Sequence, residues 1–190
     1  MAHTWNNCLP YNVICTAESQ AILNYNNATP RSTVSDWVTP EYTSSNRNPY
    51  REWIGAQIRA DGWGYGCAGN PELAAEFAYR DACWTHRANG IYGEMMFAAI
   101  IAAAFSIDDP VDLINIGLSE IPENCKLAEA SRRALSEMDQ TKDFYKYMDW
   151  VEAEFGELSG VHTVNNALVV IGALFYGCLL YTSDAADDGV

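Results

Sequence analysis

The chain has 190 residues, 49% of them apolar and 19% charged, with a net charge of −14. That length and mixture suit one globular domain with a real core and exclude a disordered chain. The acidic balance carries no basic stripe, which argues against nucleic acid as a partner, so an anionic ligand would have to be held by a helix N-terminus or a backbone nest.

In chain order the sequence reads as helix after helix. Cys15 to Asn26 is moderately periodic, and residues 27–48, rich in Ser, Thr, Asn and Pro, read as a long surface loop. Asn48-Pro49 pairs an N-cap residue with proline at the first helical position, which predicts a helix through IGAQIRADGWGYG that fails at its glycines. Asn70-Pro71-Glu72 repeats the signal and starts a helix through Thr85-His86. After a break at Asn89-Gly90, Ile91 to Phe105 is the most apolar helix. Shorter ones are expected after Asp108-Asp109-Pro110, from Pro122-Glu123 to Met138, from Thr141 to Phe155, and from Val164 to Tyr176. Period-two alternation is missing over any length, so the fold class is all-α. The apolar runs Met95–Phe105 and Ala167–Tyr181 are shorter than the roughly 18 residues that span a bilayer, so no membrane is expected. The six cysteines form no C-x-x-C pair. With no secretory signal, a reduced cytoplasmic compartment is expected, with the cysteines as small core residues.

Several residues carry chemistry or a plainer role. His86 either caps the end of its helix as a cation or meets a ligand. Asp108 and Asp109 cap the next helix or contribute to a metal site. Glu94, at the start of the apolar helix, faces solvent or is paired inside. Arg59 makes a surface salt bridge or serves as a fork donor beside phosphate. Thr163 caps the last helix, next to His162.

Taken together, Leu9-Pro10-Tyr11 with Thr16-Ala17-Glu18, NPYREWIGAQIRADGWGY, GNPELAAEFAYRDACWTHRANGIYGEM and VHTVNNALVVIGALFYG resemble the ADP-ribosylglycohydrolase family, from about residue 1 to 177. The resemblance implies an all-α, orthogonal multi-helix domain. It also implies a hydrolase that cleaves glycosidic bonds of ADP-ribose in small molecules or ADP-ribosylated proteins, using two divalent cations, magnesium or manganese. Ile54-Gly55-Ala56-Gln57-Ile58-Arg59 matches the family's N-G-x-x-M-R loop, whose backbone approaches the diphosphate. Ile54, Ile58 and Gly62 depart from the usual asparagine, methionine and proline. Thr85-His86 matches a Thr-His pair whose histidine contacts ligand. Gly55, Ala56, Gln57, Arg59, His86, Tyr92, Glu94 and His162 are therefore the implied substrate-binding residues. The family's metal-binding aspartate motifs, which belong near both ends of its domain, do not occur in this sequence. The chain thus reads as a central fragment, inactive by itself, or as a non-catalytic ADP-ribose-binding or structural protein on the same scaffold. Residues 178–190 resemble a translated sequencing-library adaptor and are expected to be non-native.

Overall fold

The computed structural model describes residues 16–28 and 38–187, with side chains through residue 177. Cys8, Cys15, the Leu9-Pro10-Tyr11 stretch and residues 29–37 of the expected loop lie outside the described residues, as do the side chains of residues 178–190. Nine α-helices are described: α1 (Ala17–Ala28), α2 (Pro40–Ser45), α3 (Asp61–Gly66), α4 (Pro71–Ala82), α5 (Asn89–Ala103), α6 (Pro110–Ser119), α7 (Lys126–Gln140), α8 (Phe144–Phe155) and α9 (Thr163–Asp187). A 3₁₀ turn covers Gln57–Arg59. Among the described residues no strand forms, only one isolated bridge between Trp53 and His162. The fold is all-α, as the sequence implies.

Helix α5 is the centre. Twelve of its residues are buried, from Asn89 to Ala103, and α3, α4, α6 and α9 pack around it. Gly64 explains part of the glycine-rich stretch: a β-carbon there would lie 2.5 Å from Ile101 Cβ, so α3 reaches α5 only without a side chain. The far side of the core is aromatic. Tyr147 is fully buried and donates its hydroxyl to the Leu168 carbonyl at 2.8 Å.

Local capping signals hold where they are local. Asn70 Oδ1 accepts from Leu73 N, and Asp109 Oδ1 accepts from Val111 N and Asp112 N at 2.9 Å each. Asp109 is thus a helix cap, as its residue type favours. Cys67 and Cys83 are buried free thiols, and Cys125 caps α7 through its sulfur.

Five expectations need correction. The Asn48-Pro49 signal does not start a helix. Asn48 is buried and spends its side chain on the carbonyls of Ala17 and Thr85, while Ile54 N donates to Val161 O, so distant partners take the local backbone's groups. The long loop contains a helix, α2, capped by Thr39. The helix expected from Pro122 begins only at Lys126, where Asn89 Oδ1 accepts from Leu127 N across the core. Thr163 does not cap the last helix. Its hydroxyl donates to Trp53 O, and His162 Nδ1 accepts from Val164 N instead. That helix, α9, also runs on beyond Tyr176 to Asp187.

Candidate functional site

Arg59, on the 3₁₀ turn, is the hub. Its Nε donates to Asp81 Oδ2 at 2.5 Å and its Nη1 to Glu18 Oε1 at 2.7 Å and Gly55 O at 3.0 Å. Its Nη2 donates to Thr85 Oγ1 at 2.9 Å and lies 3.8 Å from Glu94 Oε2. One guanidinium thus ties α1, the 55–59 turn, α4, the Thr85-His86 segment after it, and α5. The planar fork suits this role because its donors point in fixed, divergent directions.

His86 is fully buried, with Nδ1 2.8 Å from Thr85 Oγ1 and Nε2 3.8 Å from Glu18 Oε1. Burial pushes its pKa down to about 4, with Glu18 opposing and Arg59 reinforcing the shift, so the imidazole is neutral near pH 7. A neutral buried ring cannot act as a cationic cap, and α4 has already ended at Ala82.

Glu94 is paired inside rather than solvated. It is fully buried, and Oε1 accepts from Trp63 Nε1 at 2.9 Å. Burial raises its pKa to about 9. Arg59 works against that and neighbouring Asp81 with it, so Glu94 is a neutral carboxylic acid at pH 7. Glu18 goes the other way. Burial alone would raise it, but His86 and Arg59 outweigh burial and hold it below the ordinary carboxylate range. His86 contributes there only when protonated, so near pH 7 the Arg59 charge carries the effect.

Two atoms here, His86 Nε2 in the knot and Gln57 Oε1 close by in sequence, are buried without a hydrogen-bond partner among the described residues. An unmet buried polar atom costs about 1–3 kcal/mol, so a ligand that met them would recover that cost. Neutral Glu94 adds no negative charge to the site, and a hydrogen bond with Asp81 helps to keep it protonated.

The structure brings Gly55, Arg59, His86 and Glu94 together. Ala56 is fully buried beside them in sequence. Tyr92 is half-buried against the core, and His162 sits half-buried at the start of α9, bridged to Trp53; neither bonds to the knot. Sequence reasoning had Glu18, Trp63, Asp81 and Thr85 only as parts of motifs and did not name them as site residues. Asp81 lies in the last turn of α4 and Thr85 just beyond its end, so no single periodicity marks both.

The described carboxylates do not make a divalent-cation site. Glu18 and Asp81 are spent on Arg59, Asp109 on a helix end, and among the described residues no group of three or more His, Cys, Asp or Glu side chains converges. No helix of the described residues is long and apolar enough to cross a membrane.

An all-α scaffold in which a partly buried arginine gathers Glu18, Asp81 and Glu94 beside a neutral histidine marks a site for a polar ligand. The chain belongs to the ADP-ribosylglycohydrolase family, whose model matches residues 2–189. Members act on ADP-ribosylated substrates and generally depend on divalent metal. Comparison with curated proteins and with solved structures gives no match.

Proposed function

We propose that this chain is the ligand-side part of a metal-dependent hydrolase that cleaves glycosidic bonds of ADP-ribose conjugates. In this reading the diphosphate lies at Gly55, Ala56 and Gln57 beside His86. Arg59 and Glu94 back the site, and Tyr92 and His162 line its periphery. The observation that supports it most is the buried, unpartnered His86 Nε2, held beside Thr85 and Glu18, both of which are bonded to Arg59. Glycoside cleavage passes through an oxocarbenium-like state, so holding and orienting the sugar carries much of the chemistry.

The sequence carries neither aspartate motif of the family, which supports a division of labour. These residues bind and orient ADP-ribose, and the cation ligands, for magnesium or manganese, lie elsewhere in the parent protein. A second reading is a non-catalytic ADP-ribose-binding or structural protein on the same scaffold. The same missing motifs favour it, and fold alone does not decide. It differs in expecting no turnover even from the full-length parent.

The test is calorimetric titration of the chain with ADP-ribose. The wild type should bind, and His86→Ala and Gly55→Val should each weaken binding at least about tenfold, or ~1.4 kcal/mol. Unchanged affinity in both variants refutes the assignment. With added magnesium or manganese the chain alone should release no ADP-ribose from conjugates, and metal-dependent turnover would refute the division of labour.

A further inference from the structure

Resting on that ADP-ribose reading, we propose that Glu18 is a built-in competitor for the ligand's diphosphate. Its carboxylate occupies the anion position formed by Gly55, Arg59 and His86, and binding exchanges it for phosphate.

The geometry is specific to one oxygen. Glu18 Oε1 accepts from Arg59 Nη1 at 2.7 Å and lies 3.8 Å from His86 Nε2. It also covers the face that a glycine leaves open. A β-carbon at Gly55 would lie 2.5 Å from Oε1 and 3.1 Å from Oε2. The arginine donor that would hold a phosphate oxygen therefore already holds a carboxylate oxygen, set over the open face of Gly55 and close to His86 Nε2. Two anions cannot share that position, because a buried like charge repels strongly where little water screens it.

The exchange is chemically even. When Glu18 leaves, Arg59 Nη1 gains a phosphate oxygen for a carboxylate oxygen, and the bonds of Arg59 to Asp81 and Thr85 stay in place. Arg59 then serves both as the hub of the fold and as a ligand contact, although its donors are engaged in the structure described. The helix need not move. Glu18 is the second residue of α1, whose backbone is pinned by Asn48 Nδ2 donating to Ala17 O and whose later turn is pinned by Asn24 Nδ2 donating to Thr43 O and Asn46 O. The side chain is 12% exposed, so rotation about its own torsions carries it toward solvent.

The consequence is selectivity as well as restraint. A neutral ligand or a single weak anion gains nothing by displacing Glu18. A diphosphate brings enough charge and enough acceptors to replace it.

The test is calorimetric titration of the full chain in EDTA with three probes: ADP-ribose, inorganic pyrophosphate and adenosine. Wild type, Glu18→Gln and Glu18→Ala are compared, with circular dichroism confirming that each is folded. The glutamine variant preserves shape, and alanine, a strong helix former, guards against a folding defect specific to glutamine. Both variants should bind ADP-ribose and pyrophosphate at least about tenfold more tightly than wild type, with adenosine unchanged. Equal or weaker binding of the anionic probes overturns the inference. A loss of ADP-ribose affinity seen only when magnesium is added, with no gain in EDTA, also overturns it and makes Glu18 a cation ligand. If pyrophosphate binding rises in the variants while no form of the protein binds ADP-ribose, the competitor role stands and the ADP-ribose reading falls.

Discussion

Replacing Glu94 by glutamine isolates the electrostatics of the buried knot. Glutamine keeps the shape and keeps an oxygen for Trp63 Nε1, but it removes the titration. In wild type the folded-state pKa is raised to about 9 from 4.5. Between those values the folded chain holds a proton that the unfolded chain has lost. Stability from this group is therefore complete below pH 4.5 and falls as pH rises toward 9, by roughly 1.4 kcal/mol per unit at full slope. His86 has the opposite sign. Its pKa is lowered to about 4 from 6.5, so its contribution is complete above pH 6.5 and is lost as pH falls toward 4. The two slopes offset each other between about pH 4.5 and 6.5, and only the Glu94 loss remains above. Wild type should hold a plateau in mildly acidic solution and lose roughly 2 kcal/mol between pH 6.5 and 8. Glu94→Gln should instead stay level over that interval. Urea unfolding at pH 5, 6.5 and 8, followed by circular dichroism, measures the difference between the two proteins, which cancels every other titrating group. Parallel pH profiles would show that Glu94 is ionised in the folded state.

Arg59→Lys should cost about 3–5 kcal/mol in denaturant unfolding, because one ammonium cannot satisfy Asp81, Glu18 and Thr85 together; a loss under about 1 kcal/mol would show the fork to be dispensable. Ala88 sits at φ 43°, ψ −123°, a conformation that penalises a β-carbon, so Ala88→Gly should raise stability by about 1 kcal/mol, and a lower melting midpoint would contradict that strain. Deleting residues 182–190 should leave the midpoint nearly unchanged if the tail is non-native; a drop of several degrees would show it to be structural. The family match extends to residue 189 and α9 to Asp187, so this deletion tests whether the residues after 181 belong to the fold.

What was legible in the sequence was what lies close along it. Asn70-Pro71 and Asp109-Pro110 work as helix starts because cap and first turn are neighbours. The apolar run of α5 could be placed because a wholly buried helix needs no second element to be recognised. Asn48-Pro49 misled because its side chain answers to Ala17 and Thr85, 31 and 37 residues away, and no local pattern reports that. The site shows the same division. The motif resemblance pointed to Gly55, Arg59, His86 and Glu94, but not to the fact that Arg59 gathers them. Glu18 is 41 residues from Arg59, and the reason Gly55 must be glycine lies on a different helix. Periodicity carries no information across such distances.

The segment that enters the site is clasped from the far end of the chain. Thr163 Oγ1 donates to Trp53 O across 110 residues, Thr163 N to Glu52 O, and Ile54 N to Val161 O. During synthesis these bonds have no partner until α9 begins to emerge. At roughly 5–20 residues per second the Gly55 turn waits several seconds or more beyond its own translation. Closing so long a loop is also an entropic hurdle that local helix formation does not share. The helices around α5 can form and pack in that interval, while the turn carrying Arg59 lacks its clasp. Ligand competence thus waits until the start of α9 folds back against residues 52–54.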